Sequence, residues 1–299
     1  MKLCLGTVQF GMNYGIRGQK QPSLENAVKM LDYATQNGIE AIDTAHSYGT
    51  AEDVVGAFLK RKTINRENLF ISSKFHPNML DDVNPKEYQT VISKNLEIQL
   101  KRLNTDYLDA YLFHSSRYAF NDAMLEAMFK VKQQGKVKHC GVSVYYPDEA
   151  KRCIESPFVD FMQLPFSIFD QRMAKDGIFD LAKKTGKPQI HSRSAFIQGL
   201  ILMEVEEVPP FLEKAKPIVK KIDDLCKKYQ VSRISLAINF VKQFDAVSHL
   251  VFGIDNIEQL KENIKIFHNP FPKEILQDIA KEFENIETNI IMPSLWVKK

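Results

Sequence analysis

The sequence predicts a closed barrel of eight parallel strands, each followed by a helix, which is the α/β (β/α)8 TIM barrel class. Short apolar runs alternate with longer amphipathic segments, and this alternation is typical of a parallel sheet covered by helices. Eight such units in roughly 250 residues match the usual size of this barrel. An open doubly wound sheet would carry a G-x-G-x-x-G turn after its first strand. Here that position reads TVQFGM.

The 299 residues contain no low-complexity linker or internal repeat that would divide the chain. Barrels of this class routinely reach such a length as one unit. We therefore expect a single domain over residues 1–299.

The predicted strands are short runs dominated by aliphatic, aromatic and β-branched residues. The first run is KLCLG and the last is HLVFG. The eight predicted strands are residues 2–6, 40–45, 69–75, 107–114, 139–144, 159–165, 188–194 and 249–253.

The predicted helices are amphipathic segments bounded by capping and stop residues. We expect Ser23 and Thr50 to cap the first two helices and Gly38 to end the first of them. An extra helix is expected at the C-terminus. The predicted helices are residues 23–38, 50–62, 85–103, 122–134, 147–155, 176–184, 218–229, 232–243, 257–267 and 273–286.

Composition limits the classes of partner. Hydrophobic residues make up 44% and charged residues 26% of the chain, and the net charge is +3 with lysines interspersed among acids. This pattern argues against nucleic acid or a membrane as the main partner. Four cysteines without C-x-x-C spacing indicate reduced thiols and no zinc site. No signal-peptide or membrane-spanning run is present, so we expect a cytoplasmic protein.

Four chemically different side chains stand at the ends of neighbouring predicted strands. Asp43 and Tyr48 follow the second strand in AIDTAHSYGTAE, Lys74 ends the third, and His114 ends the fourth. Taken singly, each has an ordinary explanation, such as a strand-end cap or a hydrogen-bonded core histidine. Together they indicate a site, because active sites of such barrels lie at the carboxyl ends of the strands.

This combination suits proton delivery to a carbonyl oxygen. A free tyrosine has a pKa near ~10, and a neighbouring ammonium group favours the phenolate and lowers that pKa. A carboxylate would hold the lysine charged and in place. An imidazole would orient the carbonyl or assist the proton transfer. We therefore expect Asp43 to anchor Lys74, and Tyr48 to be the acid that they tune.

Over essentially its whole length, the chain resembles an aldo-keto reductase. The resemblance implies that Asp43, Tyr48, Lys74 and His114 form a catalytic tetrad. The openings GTVQFGMNYGI and RSAFIQGL are further similar to a bacterial branch associated with sugar and polysaccharide metabolism. The motifs that carry the family resemblance, in order, are GTVQFG, AIDTAHSYGTAE, ISSKF, YLDAYLFH, GKVKHCGVSVY, MQLPFS and GIDNIEQLKEN.

The resemblance implies NADP(H) or NAD(H) as cofactor and assigns contacts to it, with no metal. Ser143 and Gln163 would bind the nicotinamide carboxamide, although Val144 stands where relatives often have Asn. Arg193 takes the position of an aromatic ring that stacks on the nicotinamide, and its guanidinium plane would stack instead. Gln259 and Asn263 map to positions that hold the pyrophosphate and adenosine end of the cofactor, and the alternative is that they lie on a solvated helix face. The remaining implied contacts are Gly6, Thr7, Ser194, Gly253 and Asp255, with Ser194 and Gly253 toward the pyrophosphate and adenosine end.

The loop after the eighth strand bears on the choice between NADPH and NADH. NADPH-specific relatives place cations there, whereas this chain has Gly253, Asp255 and Gln259. Asp255 would repel a 2′-phosphate or accept a hydrogen bond from a ribose hydroxyl, or it would only cap the next helix. Arg193, Lys261 or Lys265 would be other sources of charge. We expect weak discrimination between the two cofactors.

The predicted function is reduction of an aldehyde or ketone, a small polar carbonyl compound or a sugar. The alternatives are a sugar or polyol dehydrogenase working oxidatively, and a non-catalytic nicotinamide-binding regulatory subunit. The oligomeric state is left open. Candidate pocket residues, each with core packing as the alternative, are Phe10, Tyr14, Tyr145, Phe166 and Trp296.

Many relatives begin with a β-hairpin that covers the bottom of the barrel. Here the first predicted strand starts at Lys2. We therefore expect no such hairpin, and we expect bulky side chains or another segment of the chain to close the barrel floor.

Overall fold

Eight strands close into a barrel in the order β1 to β8 in residues 1–297, which are the residues that the computed structural model describes. Each strand pairs in parallel with the next, and β8 pairs in parallel with β1. The predicted (β/α)8 class is confirmed. The strands are β1 Lys2–Gly6, β2 Ala41–Asp43, β3 Phe70–Phe75, β4 Leu108–Phe113, β5 Val137–Ser143, β6 Phe161–Pro165, β7 Gln189–Arg193 and β8 Val247–Phe252.

Helices cover the outside of the barrel and connect successive strands. Ser23 caps α2 as predicted, because its hydroxyl accepts a hydrogen bond from the backbone N–H of Asn26. The helices are α1 Val8–Gly11, α2 Leu24–Gln36, α3 Ala51–Lys60, α4 Tyr88–Leu103, α5 Asp122–Val131, α6 Pro147–Glu155, α7 Arg172–Lys175, α8 Ile178–Thr185, α9 Lys216–Tyr229, α10 Arg233–Lys242, α11 Ile257–His268, α12 Lys273–Lys281 and α13 Thr288–Ile291.

Two of the predicted helices have a boundary that differs from the prediction. The prediction over residues 176–184 is wrong at its start, because Gly177 adopts a left-handed φ of 69° between α7 and α8. The predicted C-terminal helix ends at Lys281 rather than at residue 286. Its last turn is closed by i to i+3 bonds, and the amide of Gln171 donates to the Ala280 carbonyl.

Thr50 occupies the N-cap position of α3 but does not cap it. Its side chain accepts no hydrogen bond from the first turn of the helix. The hydroxyl instead accepts from the amide of Gln21, at 2.8 Å, and faces the Gly11 carbonyl. The predicted capping role of this residue is therefore wrong, because contacts with the loop after β1 use its side chain.

The interior of the barrel has two ends with different chemistry. Successive side chains of a strand point to opposite faces, so alternate residues face the interior. On β3, Phe70 begins the strand and packs against apolar interior residues such as Ala41 and Phe161, whereas Lys74 bonds to Asp43 near the carboxyl end. We call the carboxyl end of the barrel the mouth and the opposite end the floor.

The floor is filled by stacked rings, which we call the floor cluster (Phe70, His139, Phe161, His191 and His249). The Phe70 ring lies 5.2 to 6.5 Å from the centroids of the other four rings, and the His191 and His249 rings are 4.2 Å apart. No hairpin crosses the floor in residues 1–297. Bulky side chains therefore close the floor, as expected.

Two further features concern the described chain as a whole. No helix within residues 1–297 is both long enough and apolar enough to cross a membrane. The four cysteines are free and buried. In the same part of the chain, no three His, Cys, Asp or Glu side chains converge where they would hold a metal ion.

Candidate active site

The four residues at the strand ends lie together at the mouth of the barrel. Asp43 is the last residue of β2, Lys74 lies in β3, and His114 directly follows β4. Tyr48 lies in the loop that leads into α3. Asp43, Tyr48 and His114 line a cavity of about 350 Å³, a size suited to a small ligand or part of a larger one. Lys74 is fully buried behind them.

Asp43 and Lys74 form a buried ion pair. The Lys74 Nζ lies 2.7 and 2.9 Å from the two Asp43 carboxylate oxygens and 3.0 Å from the Thr44 carbonyl oxygen. Burial by itself would lower the pKa of Lys74, but Asp43 and Tyr48 together outweigh burial, and the pKa is raised. A buried charge pair is tolerated only when its remaining hydrogen-bond capacity is satisfied. The lysine is therefore held as an ammonium group.

Asp43 has two further partners that the sequence did not identify. The Ser72 hydroxyl donates to its Oδ1 at 2.9 Å, and the Gln163 amide donates to the same oxygen at 2.8 Å. The sequence signal that could have identified Ser72 is its position two residues before Lys74, which places both side chains on the same inward face of β3.

Tyr48 is partly buried, and its ring lies above Lys74. The Lys74 Nζ is 4.9 Å from the ring centroid. Burial raises the pKa of the Tyr48 phenol, and Lys74 opposes this shift without reversing it. The predicted net lowering of this pKa is therefore wrong for this structure. The phenol stays protonated well above neutral pH.

Two glycines determine the path of the Tyr48 loop. A Cβ on Gly11 would lie 1.8 Å from the Tyr48 carbonyl oxygen. A Cβ on Gly49, whose φ is +57°, would lie 2.2 Å from the Gly11 carbonyl oxygen. Only glycine allows the two backbones to approach this closely. The sequence did not identify the contribution of Gly11, because the Tyr48 backbone that it contacts lies much later in the chain.

His114 faces Tyr48 across the cavity. The two rings are 5.7 Å apart in an edge-on arrangement. Burial, followed by the positive charges of Lys74 and Arg193, lowers the pKa of His114 to about 3. The Ser47 hydroxyl lies 3.0 Å from Nδ1 of His114. The imidazole is therefore neutral near pH 7, with Nδ1 engaged and Nε2 left for another partner.

Most of the residues assigned to the cofactor line the same cavity. Ser143 does not line it, so its predicted contact with the carboxamide is not seen at the cavity wall; it is the register partner of Gln163 between β5 and β6. The alternative of a solvated helix face for Gln259 and Asn263 is wrong, and Asn263 is buried. The lining residues from the predicted set are Gly6, Thr7, Gln163, Arg193, Ser194, Gly253, Asp255, Gln259 and Asn263.

Gln163 carries an unused acceptor on the cavity wall. Its Nε2 donates to Asp43, whereas its buried Oε1 has no hydrogen-bond partner in residues 1–297. A buried polar atom without a partner is rare and calls for an explanation. A carboxamide –NH2 group would satisfy this oxygen. The residues present therefore fit a nicotinamide ring at this wall.

Arg193 lies over an aromatic ring at the mouth. Its guanidinium carbon lies 4.4 Å from the Tyr145 ring centroid, and its Nη2 donates to the Val144 carbonyl at 3.1 Å. The next residue, Ser194, adopts a left-handed φ of 65°, and Gln198 adopts 53°. Such strained backbone concentrates at binding sites.

Two loops meet across the cavity, which the sequence did not predict. The Ile16 N–H donates to the Gln198 carbonyl at 3.0 Å, and Arg17 forms an ion pair with Glu207. These contacts join the loop after β1 to the segment after β7. Arg17 and Arg193 are the cations among the residues that line the cavity in the described chain.

Asp255 does not cap α11. The N-cap is Asn256, whose side chain accepts from the Gln259 N–H. Asp255 and Gln259 instead bond reciprocally, with the Asp255 N–H donating to Gln259 Oε1 and Gln259 Nε2 donating to Asp255 Oδ2. Lys261 lies over the Tyr33 ring, and neither Lys261 nor Lys265 lines the cavity.

Among the proposed pocket aromatics, Tyr14 and Tyr145 line the cavity. Phe10 and Phe166 are wholly buried in the core, so their proposed role is wrong. Trp296 packs in the core as well, and its indole N–H donates to the Ile290 carbonyl. The sequence could not show which way these loop aromatics turn.

Comparison with known proteins agrees with this fold. Methylglyoxal reductase DkgA of Escherichia coli (strain K12) is 27% identical over 279 residues, covering 88% of this chain and 87% of that protein. L-glyceraldehyde 3-phosphate reductase of Escherichia coli O157:H7 is 24% identical over 306 residues, covering 90% and 86%.

The solved holo form of aldo-keto reductase AKR11C1 from Bacillus halodurans aligns with a TM-score of 0.76 at 21% identity, covering 97% of this chain and 95% of that chain. The sequence profile of the Aldo/keto reductase family matches residues 2–282, nearly the whole described chain. The protein is therefore an oxidoreductase that belongs to the aldo/keto reductase family.

Proposed function

We propose that this protein reduces an aldehyde or ketone with NAD(P)H, and that Tyr48 donates the proton. The observation that carries the proposal is the placement of Tyr48 and His114 on a cavity wall, directly in front of the buried Asp43–Lys74 pair. A proton donor, a neutral hydrogen-bond donor and a fixed cation are the groups that a carbonyl oxygen needs as it becomes an alkoxide.

The cofactor would lie along the wall formed by β6 to β8. Gln163 would accept a hydrogen bond from the carboxamide, and Arg193 would stack against the ring. Gly253, Gln259 and Asn263 would contact the adenosine end. When bound, the nicotinamide supplies the hydride that the carbonyl carbon receives.

Tyr48 supplies the proton to the carbonyl oxygen. Because burial keeps its pKa high, the phenol is protonated at neutral pH and ready to donate. Donation leaves a phenolate, and the Lys74 ammonium group behind the ring stabilises that charge as it forms. Asp43 keeps the ammonium group in place through two short bonds. The pair therefore acts on the product of proton transfer more than on the resting phenol.

His114 orients the carbonyl oxygen. A neutral imidazole carries its hydrogen on one nitrogen only. If the Ser47 hydroxyl donates to Nδ1, the hydrogen resides on Nε2, which then donates to the substrate oxygen. This tautomer is part of the proposal, because the contact at 3.0 Å is compatible with either direction.

The proposed substrate is a small polar carbonyl compound or a sugar. The names of two relatives refer to methylglyoxal and to a three-carbon sugar phosphate. Tyr14, Tyr145 and Arg193 give the substrate end of the cavity hydroxyl and guanidinium groups beside Tyr48. The same site would catalyse the reverse oxidation of an alcohol when the oxidised cofactor is supplied.

An assay that follows NAD(P)H absorbance tests the proposal. Purified protein is supplied with NADPH or NADH and a panel that contains methylglyoxal, glyceraldehyde and several sugars, and the reverse reaction is run with the corresponding alcohols. We expect turnover with at least one small carbonyl compound. Cofactor binding without turnover in either direction would instead support a regulatory nicotinamide-binding subunit.

Dissociation constants for the two reduced cofactors test the proposed weak discrimination. Asp255 accepts a hydrogen bond from Gln259, and Arg17 is paired with Glu207. We therefore expect neither the acidic nor the basic group to discriminate strongly for or against a 2′-phosphate. We expect NADH to bind within about tenfold of NADPH, a difference of roughly 1.4 kcal/mol. A hundredfold preference for NADPH would mean that Arg17 or Arg193 turns to the phosphate.

A further inference from the structure

A buried polar network lies behind the mouth, between the strands β3 and β4 and the helices α3 and α4. It joins Glu52, Ser73, Gln99 and Tyr111, and each of these side chains is at most 1% exposed. The Tyr111 hydroxyl donates to Gln99 Oε1 at 2.5 Å. None of these residues lines the cavity or belongs to the proposed tetrad. We call this group the rear network.

Glu52 is the ionisable member of the rear network, and its surroundings are unusual. Its Oε1 accepts from the Ser73 hydroxyl at 2.7 Å and from Gln99 Nε2 at 2.5 Å. Its Oε2 is buried without a hydrogen-bond partner in the described chain, and the nearest cation, Arg102 Nη1, is 3.7 Å away. Burial raises the pKa of Glu52. Packing alone would be served at lower cost by an apolar side chain.

The rear network joins the two elements that carry Tyr48 and Lys74. Glu52 lies in the first turn of α3, four residues after Tyr48, and Ser73 directly precedes Lys74. Gln99 Nε2 also lies 3.1 Å from the Lys74 carbonyl oxygen. That oxygen accepts the His46 N–H at 3.2 Å, which ties it again to the Tyr48 loop.

We propose that Glu52 is a positioning residue for the reaction. It holds the start of α3 against β3 and so sets the separation between the Tyr48 phenol and the Lys74 ammonium group. This inference rests on the proposed function, because it assumes that these two groups act together. A displacement of about 1 Å in such a pair is enough to reduce the rate by about a hundredfold.

Asp109 provides a matched control. It is a buried carboxylate, 5% exposed, that accepts from Arg66 Nη2 and Lys138 Nζ, both at 2.9 Å. It also accepts from the Ile71 N–H. Asp109 lies near the start of β4, toward the floor, and does not line the cavity. Its truncation removes buried hydrogen bonds at the floor end of β3 and β4, away from the Tyr48 loop and from Lys74 at the mouth end.

The test compares Glu52→Ala and Asp109→Ala in the full chain. We measure Tm, the dissociation constant for NADPH, and the pH profile of kcat with the best carbonyl substrate. Glu52→Ala should lower kcat about tenfold to a hundredfold, while NADPH affinity changes by less than about threefold. The alkaline limb of the kcat profile should move to higher pH, because a more distant Lys74 favours the Tyr48 phenolate less. Asp109→Ala should lower Tm but leave kcat and its pH profile unchanged.

Glu52→Gln keeps an acceptor oxygen, and it tests the positioning role of Glu52 if the alanine variant does not fold. It should shift the pH profile in the same direction, with a smaller loss of kcat. A wild-type kcat and profile in the folded Glu52 variants, or an equal loss of kcat in Asp109→Ala, would overturn the inference. Absence of turnover by the wild-type protein would instead overturn the proposed function.

Discussion

The mouth and the floor of this barrel are built from the same strands, and both bury imidazole and aromatic rings. At the mouth, Asp43 and Lys74 form a paired charge beside an open cavity. At the floor, His191 and His249 stack against each other and against Phe70. Neither His191 nor His249 forms an ion pair within the described residues, whereas His139, the third floor histidine, lies 3.8 Å from Asp160 Oδ1 at the protein surface side of the cluster. The floor therefore fills space, whereas the mouth holds charge.

The comparison shows that a shifted histidine pKa does not by itself mark a catalytic residue. Burial lowers the pKa of His114 to about 3, and burial also lowers the pKa of His249 to about 4. His114 has the Ser47 hydroxyl on one nitrogen and a cavity before it. His191, wholly buried, has an Nδ1 with no partner among residues 1–297. The mouth differs from the floor in two ways: its histidine lines an open cavity, and a buried ion pair lies beside it.

The largest expected effect is at the mouth. Tyr48→Phe removes the proposed proton donor and keeps the ring, so kcat should fall about 10²–10⁴-fold. The NADPH dissociation constant should stay nearly unchanged, because the hydroxyl is not an assigned cofactor contact. Steady-state kinetics and a binding titration check both. If the variant kept more than about half of the wild-type kcat, another group would have to be the acid.

Removing the cation at the mouth should affect both activity and stability. Lys74→Met leaves the phenolate without its counter-charge and leaves Asp43 buried alone, which typically costs about 3–5 kcal/mol. We expect a large loss of kcat and a lower free energy of unfolding. The alkaline limb of the kcat profile should move to higher pH, since Lys74 no longer favours the phenolate.

The double variant Asp43→Asn with Lys74→Met separates these two effects. It removes the unpaired carboxylate, so much of the stability should return while kcat stays low. Recovery of kcat in the double variant would show that Lys74 acts only through the stability of the fold.

The floor should affect stability and its pH dependence, with no effect on kcat at neutral pH. The folded-state pKa values of His191 and His249 lie below the value of ~6.5 expected in the unfolded chain. The unfolded state therefore binds more protons, and stability is lost as pH falls from about 6.5 toward about 4.

His249→Gln should make this loss shallower, by about 1–3 kcal/mol between pH 7 and pH 4. Denaturant unfolding at a series of pH values measures it, with kcat at neutral pH as the control. An unchanged slope would show that His249 does not titrate as its burial implies. A large loss of kcat would show that the floor and the mouth are coupled.

The smallest expected effect concerns Ser47. Ser47→Ala removes the hydroxyl beside Nδ1 of His114, so the imidazole no longer has a fixed tautomer. We expect kcat to fall about two- to tenfold, in line with one hydrogen bond. Ser47→Thr retains a hydroxyl and should keep most of the activity. Because Ser47 is exposed, neither change should alter Tm. Equal kcat in the alanine and threonine variants would argue against this role.

Local sequence patterns were sufficient to predict the strands and the polar residues at their ends. All eight predicted strands overlap the observed ones, because runs of apolar residues bounded by helix signals are local features. Errors arose where distant contacts decide. Gln171 ends α12 from another part of the chain, and Phe166 turns into the core rather than into the cavity.

By itself, the sequence determined the barrel class and the set of side chains that stand at the strand ends, among them Asp43 and Lys74. Both follow from short-range alternation and from strand order, which local residues encode. Only the tertiary structure decided that burial holds the Tyr48 pKa high, that Glu52 lies behind Lys74, and that rings close the floor. These properties depend on solvent exclusion and on register between strands far apart in the chain, and neither is present in any local segment.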